Sequence, residues 1–248
     1  MSADRFFIIG AQRSATTALY DILDAHPTVV MAKPRRPEPK FFLRPDSTKP
    51  GAVLAYEAEH FAPGGPGTSY GEKSTAYIET PAAAARIAAV YPTARVVAVL
   101  REPVQRAVSN YAFSVQNGLE TRPMRVALDP WSPLPAPPAE VATSPFDYLG
   151  RSRYAEHLRP WFEQFPAGQL HVSLCEELVG EGNELTCLAD FLGIDPAGLG
   201  RLAVVNESPR PEPLPVDLEA ELRHYFEPFN ADLEMLLGRP LTPWRAGP

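Results

Sequence analysis

The residues best suited to chemistry stand in one short turn, Gly10-Ala11-Gln12-Arg13-Ser14-Ala15-Thr16-Thr17, directly after the apolar run Phe6–Ile9. A glycine opens the turn and a permanent cation sits in its middle. Three hydroxyls surround the start of a helix expected over Thr16–Ala25. Free backbone N–H groups and the helix dipole favour an anion at such a place. Arg13 can add bidentate, charge-assisted bonds to phosphate or sulfate oxygens, and Ser14, Thr16 and Thr17 can add hydroxyl donors. The other reading is a plain strand–turn–helix whose Ser and Thr only cap the helix. A nucleoside-triphosphate loop would read Gly-x-x-x-x-Gly-Lys-Ser/Thr. Here Ala15 and Thr16 hold the second Gly and the Lys positions, and no acidic strand end offers itself to Mg²⁺. The turn is therefore P-loop-like but disfavours ATP and GTP.

A second set follows the strongest strand pattern, Arg95–Leu100. Arg101 ends that strand, and Pro103 opens a helix to about Gln116 that carries Arg106 and Ser109. A permanent cation with a hydroxyl suits a phosphate monoester. Alternatively, Arg101 pairs with Glu102 and Ser109 is simply solvated. Arg106 and Ser109, three apart, share a helix face in this reading.

These residues must be held by elements, and the pattern of elements is legible. Phe6–Ile9, Arg95–Leu100 and Leu170–Leu174 read as short, nearly all-apolar strands. They alternate with helices over Pro81–Val90, Tyr148–Phe165, Glu184–Leu192 and Val216–Leu237. The implied fold is α/β: a single three-layer domain, residues 1–248, with a central parallel sheet. In such a sheet ligands bind beyond the carboxyl ends of the strands, where the Gly10 turn falls.

The composition narrows the function classes. The chain has 248 residues, 23 Lys+Arg against 30 Asp+Glu, and a net charge of −7. That balance argues against nucleic-acid partners and anionic membranes. Two cysteines, Cys175 and Cys187, make no disulfide framework and are expected as small core fillers. The histidines are scattered without metal-ligand spacing, and no run reaches the ~18–20 apolar residues of a membrane span. The short N-terminal apolar run does not make a signal-peptide core, so a cytoplasmic protein is expected. Proline is in excess, 29 residues, more than twice the usual ~5%. It clusters at 34–50, 123–145 and 209–215. The middle cluster falls in a long segment, 118–147, expected to be either a lid or disordered.

Four ordered segments carry a family resemblance. The Gly10 turn resembles the 5′-phosphosulfate loop of sulfotransferases that use 3′-phosphoadenosine 5′-phosphosulfate (PAPS). Glu38-Pro39-Lys40-Phe41-Phe42 resembles the Glu-x-x-Phe-Phe segment of the carbohydrate, heparan-sulfate branch. Glu72-Lys73-Ser74-Thr75-Ala76-Tyr77 resembles its Glu-Lys-Ser/Thr-Pro-Ala-Tyr segment, with Thr75 in place of proline. Arg101-Glu102-Pro103…Arg106…Ser109…Tyr111 is similar to the element that holds the cofactor's 3′-phosphate.

The resemblance implies PAPS as donor, 3′,5′-ADP as product and no metal. It implies cofactor contacts from Gln12, Arg13, Ser14, Ala15, Thr16, Thr17, Arg101 and Ser109, with Arg210 in a poorly matched later loop. Arg106 is left at the surface. Glu38 becomes the general-base candidate, Arg13 the stabiliser of the leaving phosphate and Lys73 a catalytic companion. The family usually carries Lys where Arg13 stands. Arg cannot practically donate a proton, so Arg13 implies electrostatic stabilisation alone. The expected acceptor is a small hydroxylated metabolite or natural product. Two other readings compete: a P-loop kinase using Mg·ATP, and a nucleotide-binding module without transfer activity.

Overall fold

The computed structural model describes residues 4–136, 144–202 and 213–245. In chain order these residues form β1 (Asp4–Gly10), α1 (Thr16–Asp24), β2 (Val29–Met31), α2 (Pro50–His60), β3 (Ser69–Lys73), α3 (Pro81–Val90) and β4 (Arg95–Leu100). Then come α4 (Pro103–Gln116), α5 (Met124–Ala127), α6 (Tyr154–Gln164), β5 (Leu170–Leu174), α7 (Cys175–Val179), α8 (Glu184–Leu192), α9 (Val216–Leu237) and α10 (Thr242–Arg245). Contacts divide the chain into two compact units: Met1–Leu100 with Pro160–Val204, and Arg101–Arg159 with Val205–Pro248.

The first unit contains the sheet. Its strand order is β2-β3-β1-β4-β5, and every pair is parallel. Because side chains alternate along a strand, β1 serves two cores. Phe6 and Ile8 join Val97 and Val99 of β4 on one face, under Leu19 and Leu23 of α1 and Leu188 and Leu192 of α8. Phe7 points the other way, edge-on to Phe42 (5.6 Å between centroids) and against Tyr91, which follows α3. Helical layers on both faces explain why β1 and β4 are apolar throughout. The α/β architecture with a central parallel sheet is the one expected from the sequence.

β2 and β3 carry no such pattern. β3 reads Ser-Tyr-Gly-Glu-Lys, yet four of its five residues are buried. A Cβ at Gly71 would lie 2.2 Å from Phe6 Cζ and 2.5 Å from Met31 Sδ, so only glycine lets β3 pass the Phe6 ring. Of the two cysteines, Cys175 is buried as expected, but Cys187 is exposed. α8 turns Leu188, Ala189 and Leu192 inward, which leaves position 187 outside.

The second unit is helical. Val104, Ala107, Val108 and Tyr111 of α4 pack with Leu218, Leu222 and Phe226 of α9 and with Met124, Ala127 and Leu128. The expected helix from Tyr148 begins only at Tyr154, after a 3₁₀ turn at Gly150–Ser152.

Arg106, expected at the surface, is 0% exposed. Its guanidinium donates to the Ser152 hydroxyl, to Asn110 Oδ1 (3.2 Å) and to the Tyr148 carbonyl. The inward stripe of α4 includes 106, 107, 110, 111 and 114, so an arginine on it must be buried and satisfied by polar partners. Ser109, only half-buried, does not share that setting.

Part of segment 118–147 is ordinary packed structure. Glu120 accepts hydrogen bonds from the backbone and side chain of Arg122 and from the Tyr148 hydroxyl, and α5 follows. Residues 137–143 of that segment lie outside the described residues.

Candidate active site

β1 is the strand at which the order reverses: β3 and β2 lie to one side, β4 and β5 to the other. The carboxyl end of such a strand opens into a crevice, and the Gly10 turn occupies that end. Gly10 has φ 155°, and a Cβ there would sit 2.6 Å from Ile78 Cγ2 and 3.1 Å from the Thr75 carbonyl. Beside it the pairing with β4 is irregular between Ile8 and Gly10, which releases the chain into the turn.

Two further residues of the turn are left-handed without being glycine: Arg13 at φ 72° and Ala15 at φ 58°. Each such conformation costs about 1–2 kcal/mol, and residues held this way cluster at ligand clamps. Left-handed residues in a turn aim successive backbone N–H groups into one anion-binding concavity.

The capping reading does not hold. The N-cap of α1 is Ala15, and no side chain caps the helix. Ser14 is 0% exposed, and its hydroxyl has no hydrogen-bond partner among the described residues. A buried hydroxyl without a partner is expensive, and an oxygen of a bound phosphosulfate would satisfy it. Thr16 is buried, and Gln12, Arg13 and Thr17 are half-buried. The turn therefore fits the 5′-phosphosulfate group of PAPS.

The second half of the site is brought up by sheet register. Ile8 of β1 pairs with Lys73 of β3. Beyond the strand, the Ser74 N–H donates to the Ile8 carbonyl (3.1 Å) and the Ile78 N–H to the Ile9 carbonyl (2.9 Å). Residues 73–78 are thus laced along the last residues before the turn.

Lys73, 3% exposed, donates to Glu38, whose side chain is 14% exposed. Thr75 also serves Glu38. Its N–H donates to Oε2 at 2.9 Å, and its hydroxyl lies 3.0–3.1 Å from both oxygens. A carboxylate offers about four lone-pair sites, and these three donors leave one for the proton of an incoming group. Sequence reasoning singled out Glu38 and Lys73 but gave Thr75 no role. The available signal was Thr75 itself, because a proline at that position has no N–H to give.

The second unit holds the remaining sequence-expected residues. Arg101 directly follows β4, and its carbonyl accepts from the Tyr154 hydroxyl at 2.8 Å. Glu102 is the N-cap of α4, accepting from the Gln105 N–H at 2.8 Å. Ser109 lies in α4. Arg210 is outside the described residues.

A parallel sheet with this anion turn at its switch point, and a carboxylate–ammonium pair beside it, defines a group-transfer fold of the sulfotransferase type. The chain belongs to the sulfotransferase family: the sulfotransferase domain model matches residues 3–203. Among its relatives, mouse heparan sulfate glucosamine 3-O-sulfotransferase 3B1 is 32% identical over 188 residues, 75% of this chain and 45% of that protein. Human heparan sulfate glucosamine 3-O-sulfotransferase 5 is 28% identical over 264 residues, 95% of this chain and 72% of that one. The chain thus spans less than half the length of the mouse relative. A solved sulfotransferase from Alicyclobacillus acidocaldarius shares the fold. Its TM-score is 0.75, with 24% identity over 99% of this chain and 100% of that one. No helix among the described residues is long and apolar enough to cross a membrane.

Proposed function

We propose that this protein transfers a sulfuryl group from PAPS to the hydroxyl of a small-molecule acceptor and releases 3′,5′-ADP. The observation that carries the reading is the buried, unpartnered Ser14 hydroxyl in a strained, cationic turn at the end of β1. PAPS supplies an activated sulfuryl group on a phosphate leaving group. Arg13, Ser14 and the turn amides hold that phosphate and balance the charge that grows on it. Arg13 acts as a fixed cation and passes no proton. Glu38 takes the acceptor's proton through its remaining lone pair, while Lys73 and Thr75 fix the carboxylate's direction. The 3′-phosphate falls to Arg101 and Ser109, an assignment that rests on sequence resemblance alone, as does that of Arg210. An oxygen acceptor is supported by the two relatives above, both named for 3-O transfer.

The Mg·ATP kinase reading is not favoured, because the family match and Ala15–Thr16 in the turn both speak against it. Calorimetry decides between the remaining readings when paired with a turnover assay on a panel of hydroxylated small molecules. The expected result is binding of 3′,5′-ADP at least 100-fold tighter than Mg·ATP, with sulfated product. Equal binding of the two nucleotides removes the donor assignment. Tight 3′,5′-ADP binding without product on any acceptor favours a nucleotide-binding module.

A further inference from the structure

We infer that Glu72 is a positioning residue for Glu38: its buried carboxyl orders, through the hydroxyl of Ser74, the backbone of the loop that carries the base. The inference rests on the reading of Glu38 as general base.

Glu72 neighbours Lys73 on β3 but points to the opposite face of the sheet. It is 1% exposed, and the mechanism above makes no use of it. Ser74 donates to its Oε1 and Tyr56 to its Oε2. Burial raises its pKa, and the hydroxyls of Ser74, Tyr56 and Tyr77 act against that rise.

Each of these three tyrosine and serine side chains also touches the segment after Glu38. The Ser74 hydroxyl accepts from the Lys40 N–H at 2.9 Å, and the Tyr77 hydroxyl accepts from the Phe42 N–H at 3.0 Å. The Tyr56 ring stacks on Phe41 at 4.3 Å. A hydroxyl has one proton and two lone pairs. By taking the proton of Ser74, Glu72 turns a lone pair of that hydroxyl toward the Lys40 amide. Such a chain strengthens each bond in it. Lys40 sits at φ 52°, a conformation a lysine holds only when its surroundings enforce it. Glu38 is two residues upstream.

The test reads the placement of Glu38 directly, because the Thr75 amide donates to it. Hydrogen exchange at Thr75 is followed in the wild type, Ser74→Ala and Glu72→Gln, with Glu38→Ala to calibrate loss of the acceptor and β4 amides as an internal control. In both variants Thr75 exchange is expected to rise at least tenfold while β4 stays protected. Conversion of PAPS to 3′,5′-ADP, with 4-nitrophenol as acceptor probe, should fall about tenfold, with 3′,5′-ADP affinity within twofold. Unchanged Thr75 protection in folded Ser74→Ala overturns the inference, even if Glu72→Gln fails to fold. Parallel loss of β4 protection and nucleotide affinity also overturns it, since Glu72 is then only structural. Wild-type turnover in Glu38→Gln would instead remove the base assignment and leave the exchange result to judge the positioning.

Discussion

Lys73 is both half of a buried ion pair and a companion of the proposed transfer, and the two duties can be separated. Its side chain is 3% exposed, and that of Glu38 is 14% exposed. Removing one member of such a pair leaves the other charge uncompensated, a loss of about 3 kcal/mol or more. Lys73→Met keeps the volume and deletes the charge, so it should lower both stability and rate. Adding Glu38→Gln removes the stranded charge and should return most of the stability but none of the rate. Urea denaturation of the two single variants and the double closes this cycle. Additive stability losses would show that the pair contributes nothing as a pair. Thr75 limits the damage in Lys73→Met, because its two donors still face Glu38. The pairing of Glu38 with Lys73 could not be read from the sequence. Glu38 stands in a basic proline loop with Lys33, Arg35 and Arg36 just upstream, where an acid is ordinarily exposed and solvated. In the fold Lys33 and Arg35 are taken by Asp24 and Asp21 of α1.

Elements with a single apolar period were legible almost to the residue. Pro81–Val90, Arg95–Leu100, Leu170–Leu174, Glu184–Leu192 and Val216–Leu237 match the observed α3, β4, β5, α8 and α9. β2, β3 and α2 gave no such signal. β2 has three residues, and α2 opens with a proline of the first cluster. β3 buries Glu72 and Lys73 in place of apolar side chains, and this polar strand is the one that builds the site. At 118–147, expected from its prolines to be a lid or disordered, Glu120 pins the start of the segment. Burial alone would raise its pKa, but hydrogen bonds from the Arg122 side chain and backbone and from the Tyr148 hydroxyl outweigh this. They hold it at about 2. A carboxyl depressed on folding adds stability that is complete above its unfolded value near 4.5 and is lost as pH falls toward 2. The shift corresponds to about 3 kcal/mol. Glu120→Gln should therefore be destabilised by roughly that amount at pH 7 and match the wild type near pH 2. A difference between the two that is independent of pH would show that packing, not ionisation, accounts for the loss.

At the scale of the whole molecule, a net charge of −7 coexists with the proposed cationic anion site, because the fold gathers charges that composition averages away. Arg13 and Lys73 are sixty residues apart in the chain, yet β1 and β3 bring their neighbourhoods together through the Ile8–Lys73 pair. A protein that binds a doubly phosphorylated nucleotide in its native state alone must be stabilised by it. At a hundred times its dissociation constant the gain is about 2.7 kcal/mol, or roughly 5–10 °C in Tm for a chain of this length. 3′,5′-ADP should produce that shift, and 5′-AMP, which lacks the 3′-phosphate, should produce much less at the same concentration. If Arg101 and Ser109 take the 3′-phosphate, Arg101→Ala should bring the two shifts together by lowering that of 3′,5′-ADP alone. Ser14→Ala should lower both, because the 5′-phosphate is common to the two ligands. Thermal scans at matched nucleotide concentrations read all four cases. Full discrimination surviving in Arg101→Ala would move the 3′-phosphate to other residues while leaving the 5′ turn in place.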